Sequence, residues 1–89
     1  ALDENSVEVY PNPFKGVANI IVDVPQQTDL RIEVFDMVGK RVALIADQQE
    51  VAGTHRYEFN GEAASSNGVY FVKVTMNGKS TTKKLVEMQ

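Results

Sequence analysis

No cysteine occurs in this chain of 89 residues, which removes disulfides, thiolate zinc sites and thiol nucleophiles from consideration. Tryptophan is missing as well, so the Cys…Trp…Cys pattern of an antibody-type domain is excluded. Histidine occurs once, as His55, and a lone strand histidine reads as structural. Ser65 and Ser66 lack the Gly-x-Ser-x-Gly setting of a hydrolase elbow, and neither a phosphate-cradling glycine loop nor an HExxH pair is present. No apolar run reaches the roughly 20 residues of a membrane helix. No signal peptide is read either, so an exported domain is expected to end a longer precursor. A net charge of -3 and a pI near 5.0 argue against a broad basic face for nucleic acid. The polar "DEN" from Asp3 to Asn5, with Asp47 or Glu50 nearby in space, offers oxygen ligands for calcium, but the spacing fits no EF-hand loop. Neither a catalytic residue nor a metal or cofactor is expected.

What is present points to one β domain. Apolar residues make up 43% and charged residues 24%, ordinary globular values, and the length leaves room for a single core. "VANIIVDV" sets Ala18, Ile20, Val22 and Val24 against Asn19 and Asp23. "DLRIEVFD" sets Leu30, Ile32 and Val34 against Arg31 and Glu33, "THRYEF" alternates His55, Tyr57 and Phe59 with polar residues, and "VYFVKVTM" aligns Tyr70, Val72, Val74 and Met76. Period 2 is the mark of half-buried strands. "VEVY", "RVALIAD" and "STTKKLVE" bring the total to about seven, although "VALIADQQEVAG" also has the composition of a helical turn.

The punctuation supports hairpins. Asn77-Gly78 suits the positive φ of a type I′ turn, "DMVG" places Asp36 and Gly39 as a type I turn prefers, and Pro25 ends a strand. Regular spacing of such signals predicts an all-β, immunoglobulin-like β-sandwich of about seven antiparallel strands. "YPNPF" is stiffer: Pro11 and Pro13 remove two donors and hold Tyr10 and Asn12 extended. Flanked by Tyr10 and Phe14, it suits a strand that changes sheets or leaves an edge.

Counting outward from the Asn77-Gly78 turn creates a conflict. Val72 then faces Lys83, and Tyr70 faces Leu85. Directly opposed residues share a face, so a core side holding Val72 also receives lysine. Burying an unpaired ammonium costs several kcal/mol. Two escapes exist: a one-residue bulge, or a final strand at a sheet edge with outward-snorkelling lysines. The edge is the favoured reading, since edge lysines also block stray pairing.

Taken in order, "VEVYPNPF", "IEVFDMVGKRV", "VAGTHRYEF" with Gly53, "SNGVYFVKV" and "KKLV" resemble the type A C-terminal sorting domain of the type IX secretion system, found in Bacteroidetes. The resemblance spans about Val7 to Val86. It implies an immunoglobulin-like sandwich that directs a cargo protein across the outer membrane and is removed at the cell surface by a sortase-like peptidase. It implies translocon, shuttle and sortase partners, transit through the periplasm, and a final place at the surface or outside the cell. Residues 1–6 would be linker remaining from the cargo, and 7–89 the sorting domain. The resemblance assigns recognition to Asn67, Gly68, Val69 and Tyr70 and to Lys83, Lys84, Leu85 and Val86; apart from the resemblance, a receptor that adds its own strand to the edge is the mechanism expected here. Family members often finish with a basic residue, whereas this chain ends "VEMQ". A dimer through an open sheet edge is a further expectation. The competing reading is a fibronectin-like spacer or carbohydrate-binding module, which exposed aromatics in a row would favour.

Overall fold

Alternation along the chain is realised as seven strands: β1 (Val7–Tyr10), β2 (Val17–Val24), β3 (Thr28–Asp36), β4 (Arg41–Glu50), β5 (Gly53–Asn60), β6 (Val69–Met76) and β7 (Lys79–Val86). The computed structural model describes residues 3–63 and 68–88. One sheet has the order β1-β2-β5, the other β4-β3-β6-β7, and every strand pair is antiparallel. The two sheets form an immunoglobulin-like sandwich.

The residues expected on the inner faces of β2, β3 and β6 are all buried there. Each fully buried aliphatic side chain contributes about 1.5–3 kcal/mol before the ordering entropy is offset. Phe14, Phe59 and Tyr70 meet at one end of the core, with ring centroids 5.0–6.2 Å apart. Phe35 and Phe71 instead pair with each other on the outer face of the larger sheet, half-buried.

Asn77 and Gly78 have φ of 50° and 75°, as a type I′ turn requires. At the β3–β4 turn the Gly39 N–H donates to the Asp36 carbonyl at 3.1 Å. The Asp36 carboxylate also accepts from the Val38 and Lys40 amides at 3.0 and 2.9 Å.

Two alternatives that the sequence left open are decided by the strand pairing. The segment read as a possible helical turn runs as strand instead, from Val42 to Glu50 in β4, whose pairing with β3 shifts register between Ile32 and Glu33 and again between Val34 and Phe35. Those irregularities carry Val42, Ala43 and Ile45 toward the core, blurring the period-2 pattern. Of the two roles expected for "YPNPF", it leaves an edge, since β1 is outermost in its sheet, and does not change sheets between strands, because β1 and β2 pair with each other. It reaches across to the edge of the opposite sheet and returns. Both of its X-Pro bonds are cis.

Candidate functional site

The last hairpin is built on the simple register. Met76 faces Lys79, Val74 faces Thr81, Val72 faces Lys83 and Tyr70 faces Leu85, without a shift. The bulge is therefore not used. β7 is the outermost strand of its sheet, and this resolves the lysine conflict: Lys83 sits half-buried on the core-side rim, while Lys84 and Lys79 are exposed. The salt bridges among the described residues involve Arg31, Arg41, His55 and Arg56, so the β7 lysines take part in none.

The two groups of residues assigned to recognition come together across this ribbon. Val69 pairs with Val86 and Tyr70 with Leu85. Tyr70 and Leu85 are fully buried, whereas Val69, Val86 and Lys84 lie on the outer face with Phe71. Gly68 has φ of +87°, which a side chain rarely tolerates, and its carbonyl accepts from the Glu87 N–H at 2.7 Å. Asn67, assigned with them, lies outside the described residues, as do Ser65 and Ser66.

Asn12 has a role that its sequence position hardly announces. Its Nδ2 donates to the Lys84 carbonyl at 2.8 Å, and its Oδ1 accepts from the Val86 N–H at 3.0 Å. One amide side chain thus satisfies two outward-facing backbone groups of β7. The Phe14 N–H then donates to the Val86 carbonyl at 2.8 Å, and the Met88 N–H donates to the Phe14 carbonyl at 2.7 Å. The available signal was an asparagine between two prolines, a stretch with few donors of its own. The Glu87 carboxylate accepts from the Tyr70 hydroxyl at 3.3 Å.

A second polar group closes the opposite side of the sandwich, between β4 and β5. The Tyr57 hydroxyl donates to the Glu50 carboxylate. Val51 carbonyl accepts from His55 Nε2 at 2.8 Å, and His55 Nδ1 is 3.7 Å from Glu50 Oε1. The Tyr57 hydroxyl holds the Glu50 carboxyl below its ordinary value, against the opposing effect of burial. Burial, with the neighbouring Glu50 carboxylate, pushes Tyr57 up to about 12. Among the described residues no three His, Asp or Glu side chains converge as metal ligands, and Asp3 accepts the nearby Asn5 amide at 2.9 Å.

The geometry defines a class: a small β-sandwich module whose distinctive surface is a terminal ribbon at a sheet edge. The model of the secretion system C-terminal sorting domain matches residues 8–88, and the chain belongs to that family. It is the type IX secretion sorting signal, carried behind an N-terminal cargo that it directs across the outer membrane toward the cell surface or beyond. No curated protein and no solved structure matches it.

Proposed function

We propose that the type IX machinery reads the accessible side of the β6–β7 ribbon: Lys84, Val86 and Val69 on the outer face, with Lys83 at the rim. Gly68 forms the approach to that surface in this reading, Asn67 is assigned to recognition with it by sequence alone, and the buried Tyr70 and Leu85 act by holding the ribbon in place. The observation that carries it is the position of β7, outermost in its sheet with lysines outside every described salt bridge. Residues 1–6 serve as linker from the cargo and 7–89 as the signal. The precursor crosses the periplasm, engages translocon and shuttle components, and loses the domain to a sortase-like peptidase at the surface. The domain itself performs no reaction.

Fusing residues 1–89 to a periplasmic reporter in a type IX-competent host tests this. Surface delivery is expected, with Lys84→Glu lowering it about tenfold, the scale at which an interfacial charge matters. Periplasmic retention of the wild-type fusion overturns the reading.

A further inference from the structure

We propose that the uncovered half of the β7 edge binds an extended, acidic segment of a partner protein as an added strand. This deepens the address reading above and rests on it.

In an antiparallel pair, residues alternate between exchanging bonds with the partner strand and turning both N–H and C=O away. Val86 turns both groups away from β6, toward Asn12 and Phe14. With the unbroken β6–β7 register, Lys84, Thr82 and Ser80 must do the same. The Lys84 carbonyl is taken by Asn12. Among the described residues, no side chain or loop bonds the outward groups of Thr82 and Ser80.

The edge is thus divided. From Lys84 to Met88 it is closed by the Asn12 side chain and the Phe14 backbone. From Ser80 to the Lys84 N–H it is a short, regular row of donors and acceptors. That row is the pattern to which an incoming strand adds. The same sheet's other edge, β4, is broken by two register shifts, a device that discourages pairing.

Charge selects the guest. Residues opposite one another share a face, so an incoming strand meets Lys83 and Lys79 on one face and Lys84 on the other. None of the three is in a described salt bridge. Acidic residues opposite Lys84, Lys83 and Lys79 would complement them. A second copy is the poorer guest: antiparallel β7 strands centred on Thr82 place the two Lys83 side chains diagonally on one face. They also bring Ser80 against a Lys84 carbonyl already bonded to Asn12.

The probe is the peptide Ac-Glu-Glu-Val-Thr-Val-Glu-NH2, titrated into the 89-residue chain by NMR, beside an analogue with lysine for each glutamate. The acidic peptide is expected to shift and protect the Ser80, Thr82 and Lys84 amides, with the basic one leaving them unchanged. Equal effects from both, or none from either, overturn the proposal. So does self-association of the chain that protects those amides without peptide.

In cells, Thr82→Pro removes the outward N–H without touching the β6 ladder, and a Lys83→Glu/Lys84→Glu pair reverses the charge. Both are compared with the wild-type fusion after thermal melts show that the fold is kept. Reduced delivery of both supports the strand addition. Normal delivery of a folded Thr82→Pro fusion overturns it while leaving the address reading intact. Retention of the wild-type fusion instead removes that reading.

Discussion

Glu50 and Tyr57 bind one another where the two sheets meet at β4 and β5, so their titration is tied to folding. Tyr57 titrates near 12 when folded and near 10 when unfolded. The folded state therefore retains the proton longer, and the stabilisation is full below pH 10. It is lost as pH rises from 10 through about 12. Glu50 works in the opposite sense: its folded value is lowered, so its contribution holds above the ordinary carboxylate range and fades as pH falls through it. Tyr57→Phe is expected to lower stability at pH 7 by about 0.5–1.5 kcal/mol, the net range of an ordinary hydrogen bond, and to abolish its share of the alkaline loss. Urea melts across pH 7 to 12 read both effects. At the other end of the molecule, a Cβ on Gly61 would lie 2.6 Å from Glu87 Oε2 and 2.8 Å from Phe14 Cζ. The carboxylate can swing away, but the phenylalanine is fully buried. Gly61→Ala is therefore expected to cost about 1–3 kcal/mol by overpacking, only partly recovered by adding Glu87→Ala in the same melts.

Strands β2, β3, β5 and β6 were legible because each keeps one uninterrupted alternation, and sheet order followed from the hairpin turns only where those turns are tight. β4 was less legible: its register shifts put Val42, Ala43 and Ile45 near the core, and a broken period 2 resembles a helical spacing. The YPNPF element was legible as rigid but not as a clasp, since its partners lie more than 70 residues away and no local pattern encodes that distance. The terminal ribbon was readable down to its register because Asn77-Gly78 sets the pairing. Its half-closed edge was not, because the closure comes from the Asn12 side chain and the Phe14 backbone, far away in sequence. Asn12→Ala tests the clasp. Water replaces the lost bonds at this exposed site, so stability should fall by only about 1 kcal/mol. Hydrogen exchange at the Val86 amide should rise at the same time, with the Leu85 amide, directed at β6, little changed. An unaltered Val86 exchange rate would contradict the bond from the Val86 N–H to Asn12 Oδ1.

Over the whole molecule, the surface proposed as the signal and the hydrophobic core draw on the same ribbon. The outer face of the three-stranded sheet carries Glu8, Asp23 and Glu58 with Arg56, whereas that of the larger sheet carries Arg31, Arg41, Lys73 and Lys84 with Asp29, Glu33 and Asp47. The ribbon therefore lies on the more cationic side of an acidic protein, and a partner drawn by charge is oriented before contact. The same ribbon supplies Tyr70, Val72, Val74 and Leu85 to the core and holds Phe14 through Val86 and Met88. Removing the last residues cannot erase the address while sparing the fold. Leu85→Ala alone is expected to cost about 2–5 kcal/mol, a large part of the roughly 4–13 kcal/mol that a domain of this size commands. Deletion from Lys83 onward also removes the Phe14 clasp and should leave the chain unfolded at growth temperature, which circular dichroism of the truncated chain would show. A cooperative melt near that of the full chain would mean that β7 is dispensable to the sandwich. Loss of export on that deletion would then report recognition alone, and otherwise surface substitutions such as Lys84→Glu are the ones that separate reading the signal from folding it.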